Sequence, residues 1–186
     1  ADVSHREIES YLIDQVILRL DLPRLYGNLA IDEVVLRLHC GDTAGAFESA
    51  HRTRVHDPEA PSSPLAAGHG WGQSLQLLQA RLLMAEDDAT GALRKLNLLQ
   101  NAHGSDRRSS LALTVTALKA VALWQCEHHK EAVRELDRAL TQAAPEHHAY
   151  PIFDAGPGLL AVLRAVSERR EVPVAADQLQ AKDQLR

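Results

Sequence analysis

Ten histidines in a chain of 186 residues raise metal chemistry first. A zinc ion wants about four ligands converging tetrahedrally, yet His128-His129 and His147-His148 are adjacent pairs, and adjacent side chains on a helix or strand point apart. No carboxylate or thiol completes a set at recognisable spacing, so neither a metal nor another cofactor is expected. Nucleophilic chemistry fares no better. Ser62 and Ser63 sit among Pro58, Pro61, Pro64 and Gly68 without the strand-to-helix elbow that exposes a catalytic serine. Asp154, just ahead of Gly156-Pro157, suits a helix cap or a turn. With no catalytic constellation, the chain is not expected to be an enzyme.

Binding residues are easier to find. Trp124 combines a large apolar face with one hydrogen-bond donor, the type enriched in binding hot spots; the competing reading packs it in a core. Trp71, between Gly70 and Gly72, reads as an anchor pinning a loop to the body. Arg81 either meets an anionic ligand or forms a surface ion pair. A net charge of −5 speaks against direct nucleic-acid binding, which needs a basic surface to displace counterions. Cys40 and Cys126 occupy equivalent places too far apart to pair, so free thiols and a reducing cytoplasm are expected. No apolar run reaches the roughly 18 residues of a membrane span. The start, Ala1-Asp2-Val3-Ser4, is no signal peptide and lacks Met, which points to a piece of something longer.

The elements that must position these residues are helices. A cadence recurs three times: Val35 to Phe47, Arg81 to Leu93, and Val121 to Val133 each end an apolar helix, turn through a few polar residues and start another helix with a small residue. The spacing predicts a capped helix from Ser4 through Leu20, then pairs at Leu25–His39 with Thr43–Arg54 and Gln73–Ala85 with Ala89–Ala102, and a third helix led by Ser109 or Ser110 and running through Leu111 to Leu123, paired with Lys130–Ala144. A last short helix over Gly158–Glu168 is expected to bury Leu159, Leu160 and Leu163, with Val166 as a further candidate. Residues 55–72, rich in Pro and Gly, read as a long loop. No segment alternates at period two.

The turns align Ala46, Ala92 and Ala132, at intervals of 46 and 40 residues. A small side chain at the crossing of two helices lets their backbones approach, where Leu would overpack. The intervals exceed the roughly 34 residues of a tetratricopeptide repeat (TPR), so the repeats are degenerate. The expected fold is all-α, a right-handed superhelix of degenerate TPR-like hairpins over residues 1–168, with a polar tail or linker over 169–186. In such a superhelix the first helices of successive pairs line a concave face. His39, Ser74, Arg81, Met84, Trp124 and Gln125 are the expected ligand or partner contacts there, with Thr114, Ala117 and Val121 alongside.

Three stretches carry a family resemblance. Leu78 to Ala85 followed by Ala89 to Leu93, Thr116 to Leu123 followed by Ala132 to Leu140, and Ala144-Pro145-Glu146 leading to Ile152-Phe153-Asp154-Ala155-Gly156-Pro157 are similar to the MalT-like TPR region of LuxR-type bacterial transcriptional regulators. The resemblance implies a sensory domain that receives a small-molecule inducer or a regulatory protein and thereby controls oligomerisation and transcription activation, self-association included. The family's ATPase module and DNA-reading helix-turn-helix have no counterpart in this sequence. DNA binding would come from a separate domain. The alternatives are a free-standing TPR adaptor that docks a partner peptide, and an enzyme with a histidine metal site.

Overall fold

In the computed structural model residues 23–53, 71–102 and 109–170 are described. The expected helix over Ser4–Leu20, most of the loop and the tail beyond Arg170 lie outside them. Eight α-helices follow one another among the described residues: α1 Pro23–His39, α2 Thr43–Thr53, α3 Trp71–Ala85, α4 Ala89–Ala102, α5 Ser110–Gln125, α6 His129–Ala143, α7 Tyr150–Phe153 and α8 over 159–170, with a 3-10 turn at Ala144–Glu146. No strand occurs among the described residues. The fold is all-α and TPR-like. Trp71 and Gly72, expected in the loop, open α3, and residues 169–170, expected in the tail, end α8. The chain divides into two compact units, Ala1–Leu82 and Leu83–Arg186.

One turn is built three times, at the α1–α2, α3–α4 and α5–α6 junctions. Gly41, Asp87 and Glu127 hold the left-handed conformation at φ 76°, 62° and 62°. The next residue donates its N–H back across the helix end: Asp42 to the Arg37 carbonyl, Asp88 to Leu83 and His128 to Leu123, each at 2.9 Å. Gly41, Asp87 and Glu127 donate to Leu38, Met84 and Trp124 at 3.1, 3.3 and 3.1 Å. These two bonds make the Schellman motif, which satisfies carbonyls a helix end would otherwise leave open. The following helix starts on a cap in two cases: Asp42 Oδ1 accepts from the Gly45 N–H at 3.0 Å, and Asp88 Oδ1 from the Gly91 N–H at 2.8 Å. At α6 the equivalent residue is His128, which makes no side-chain cap bond. A Cβ on Gly91 would lie 2.1 Å from the Asp88 carboxylate, which explains glycine there. Ala46, Ala92 and Ala132, one residue further on, are each 0% exposed.

In the first unit, Ala30, Ile31 and Val34 of α1 pack with Ala46 and Ala50 of α2 and with Leu75, Leu78 and Leu82 of α3. Over this core, Glu33 of α1 bonds Arg37 at 3.0 Å and Arg52 of α2 at 3.1 Å, and Arg37 reaches Asp42 at 2.9 Å. Partial burial opposes ionisation of Glu33. Hydrogen bonds with Ser49 and Arg37 and the nearby charges of Arg52 and Arg37 outweigh it, so the carboxyl titrates below its ordinary value.

In the second unit α5 is the central helix. Leu113 to Leu118 and Ala120 to Leu123 are all buried, the all-round apolar pattern of a helix surrounded by others. Ser109 caps it by accepting from the Ala112 N–H at 3.3 Å. The amphipathic α6 covers one side with Ala132, Val133, Leu136 and Ala139, and α4 is tied to another by a 2.7 Å bond from Lys119 Nζ to Gln100 Oε1. The short α7, four residues that carry too little periodicity to be predicted, lies against α5, where Thr114 Oγ1 donates to the Pro151 carbonyl at 3.1 Å. Gly158 follows, and a Cβ there would stand 2.7 Å from Val121 Cγ1. Only glycine lets the chain pass α5 so closely. Then α8 buries Leu159, Val162 and Val166, while Leu160, expected inside, is 54% exposed.

Candidate ligand pocket

The last turn of α5, the first two turns of α6 and the second half of α8 enclose a pocket of about 420 Å³. Trp124 supplies one wall from α5. From α6 come His129, Lys130, Val133 and Arg134, whose one- and four-residue spacing keeps them on neighbouring faces of the first turns. Ala165 and Arg169, four apart on α8, close the far side. The Schellman turn at Cys126–His128 brings the α5 and α6 contributions together. Its result is a Trp124–His129 ring pair with centroids 4.2 Å apart at a 48° tilt, within the range of favourable aromatic contacts.

The chemistry is divided. Trp124, Val133 and Ala165 are apolar, while Lys130, Arg134 and Arg169 bring three positive charges and no acidic side chain lines the space. None of these three cations has a side-chain ion pair or hydrogen bond among the described residues. The acids around them are engaged or turned outward: Glu127 Oε2 meets His129 Nε2 at 2.9 Å, Glu135 pairs with Arg138, Asp137 takes Arg170 at 2.6 Å, and Glu131 is exposed. The Arg170–Asp137 pair also fixes the end of α8 to α6, which holds Arg169 at the rim.

The expected contact residues fare differently. Trp124 is half-buried in the pocket wall. Gln125 is exposed and its Nε2 donates to the Met84 carbonyl at 3.4 Å, while the Met84 side chain is only 8% exposed. Arg81 is 7% exposed, its Nη1 3.4 Å from His39 Nε2. Ser74 and His39 are half-buried. The structure thus brings Gln125 to Met84 and Arg81 to His39, but none of these four joins Trp124 in the pocket. Thr114, Ala117 and Val121 are buried, because α7 and Gly158 occupy the face expected to be open. For Trp71 the side chain lies outside the described residues. Asp154 sits at the C-cap of α7, its N–H reaching the Ile152 and Tyr150 carbonyls.

His129, Lys130, Val133, Arg134, Ala165 and Arg169 were not foreseen as site residues. Lys130 and Arg134 did stand four apart on a predicted helix, a visible basic pair, but the return of α8 over α6 has no local signature. Among the described residues no three His, Cys, Asp or Glu side chains gather to hold an ion. His148 Nε2 instead meets Ser110 Oγ at 2.8 Å, and His147 takes a left-handed turn position. The thiols of Cys40 and Cys126 are free, the latter 3.9 Å from Thr90 Oγ1. No helix among the described residues is long and apolar enough to cross a membrane.

Repeated helix pairs joined by one turn, with a divided apolar and cationic pocket, define a TPR-type interaction region. Residues 24–169 match the MalT-like TPR region, and the chain belongs to that family. Comparison with curated proteins and with solved structures gave no match.

Proposed function

We propose that this chain is the sensory and interaction domain of a cytoplasmic MalT-like, LuxR-type transcriptional regulator, binding an inducer or a regulatory protein to control oligomerisation and transcription activation. The observation that carries the reading is the family match over 24–169, to which the Trp124 pocket adds a place for a ligand. Coupling requires the ligand to bind two states of the larger protein unequally. DNA reading and nucleotide hydrolysis belong in this view to other domains, and no membrane contact is involved.

The test is a promoter–reporter assay with the regulator encoded by the full gene. Trp124→Ala should lower the response to inducer or to regulatory protein while leaving helix content by circular dichroism and DNA binding by the separate domain unchanged. A gene encoding neither a nucleotide-binding module nor a helix-turn-helix would instead favour a TPR adaptor for a partner peptide.

A further inference from the structure

We infer that the Trp124 pocket binds a small amphipathic organic anion, with a flat apolar body seated against Trp124, Val133 and Ala165 and a carboxylate or phosphate head held by Lys130, Arg134 and Arg169. The volume, about 420 Å³, falls within the range of sites that enclose small molecules. Three cationic residues line it without partners among the described residues, in a chain whose net charge is −5. That concentration of positive charge runs against the average of the molecule. Guanidinium groups present paired donors matched to carboxylate and phosphate oxygens, and two of the three cations are arginines. His129 and Lys130 are the first residues of α6, so the positive end of the helix dipole adds to the same field. The apolar share is equally specific: a bare inorganic anion would leave the Trp124 face, Val133 and Ala165 against water.

The inference rests on the reading of the region as ligand-responsive for its biological use only. Dye binding by the chain tests the pocket, whereas inducer-dependent transcription tests the regulator, so each can fail alone.

The probes are 8-anilinonaphthalene-1-sulfonate and N-phenyl-1-naphthylamine, which share an aromatic body and differ by the sulfonate. In a Trp71→Phe background Trp124 is the sole tryptophan energy donor, since the chain has two. Saturable one-to-one transfer to the anionic dye is expected, with the neutral dye binding about tenfold more weakly. Arg134 and Arg169 are exposed, so the Arg134→Gln/Arg169→Gln pair should fold normally; it should weaken the anionic dye about tenfold and change the neutral dye less than about twofold. Ala165→Phe, which fills the pocket without adding a tryptophan, should abolish transfer to both with helix content unchanged. Displacement by 2-naphthoate or by 1-naphthyl phosphate supports the inference and distinguishes the two heads. Equal affinity for both dyes, insensitivity to the arginine pair, or failure of both naphthyl anions to compete overturns it. So does displacement by oligoglutamate in preference to the naphthyl anions, which would make the occupant an acidic peptide. Dye binding that appears only after Asp177→Asn and Asp183→Asn would make the chain's own tail the occupant, and equally overturns it.

Discussion

Asp88→Ala should destabilise the second unit by about 1 kcal/mol, while His128→Ala at the equivalent turn should change it by less than about 0.5 kcal/mol. Both residues precede a helix that starts after the same Schellman turn, so the backbone context is shared and the side chain is the variable. Asp88 Oδ1 accepts the Gly91 N–H at 2.8 Å, and Gly91 is buried, so the donor freed by alanine has limited access to water. A carboxylate at the start of α4 also gains roughly 0.3–1 kcal/mol from the helix dipole. His128 makes no such bond. Asp88→Asn separates the two contributions, since asparagine keeps the cap and loses the charge. Urea unfolding followed by circular dichroism gives the midpoint and slope for each variant, and a shifted midpoint at constant slope is the expected signature. Equal losses for Asp88→Ala and His128→Ala, or an Asp88→Asn loss as large as that of alanine, would refute the assignment of the cap.

Gly158→Ala should cost roughly 1–3 kcal/mol, because its Cβ would enter the space of Val121 Cγ1 at 2.7 Å, and a thermal melt will show it. Glu33 titrates below its ordinary value of 4.5, so its contribution to stability is present above that pH and drains away as pH falls through the lower folded value. Melting temperature between pH 6 and pH 3 should fall less steeply in Glu33→Gln than in the parent chain, and parallel curves would dismiss the Glu33–Arg37–Arg52 cluster as the cause.

The hairpin turns were the most legible part of the chain. Ala46, Ala92 and Ala132 sit where the turn-to-helix cadence placed them, and helix ends agree within one or two residues, because caps and breakers are local. Exposure was less legible where periodicity allows two faces. Leu159 and Val166 are buried as the stripe suggested, but Leu160 fits that stripe as well as Val162 does, and only packing decides that Val162 goes inside and Leu160 out. The same cause explains the loss of Thr114, Ala117 and Val121 as open positions: the register was sound, but the segment 150–158 folds back over them. Trp124 stands out by its residue type and by its register on the first helix of its pair. Of its pocket partners, Ala165 and Arg169 come from a helix about 40 residues further on, a placement set by Gly158 and by the Arg170–Asp137 pair, neither of which has a pattern in the sequence.

The second half of α8 is at once a wall of the pocket and an arm fastened to α6. Ala165 and Arg169 touch the cavity, and the neighbouring Arg170 is the residue paired with Asp137. A hydrogen-bonded helix rises about 1.5 Å per residue as a nearly stiff rod, so a tilt imposed at Ala165 is handed on to Arg169 and Arg170. The Asp137 carboxylate acts as the pivot restraining that rod. A ligand that pushes on this wall must therefore work against the Arg170–Asp137 pair.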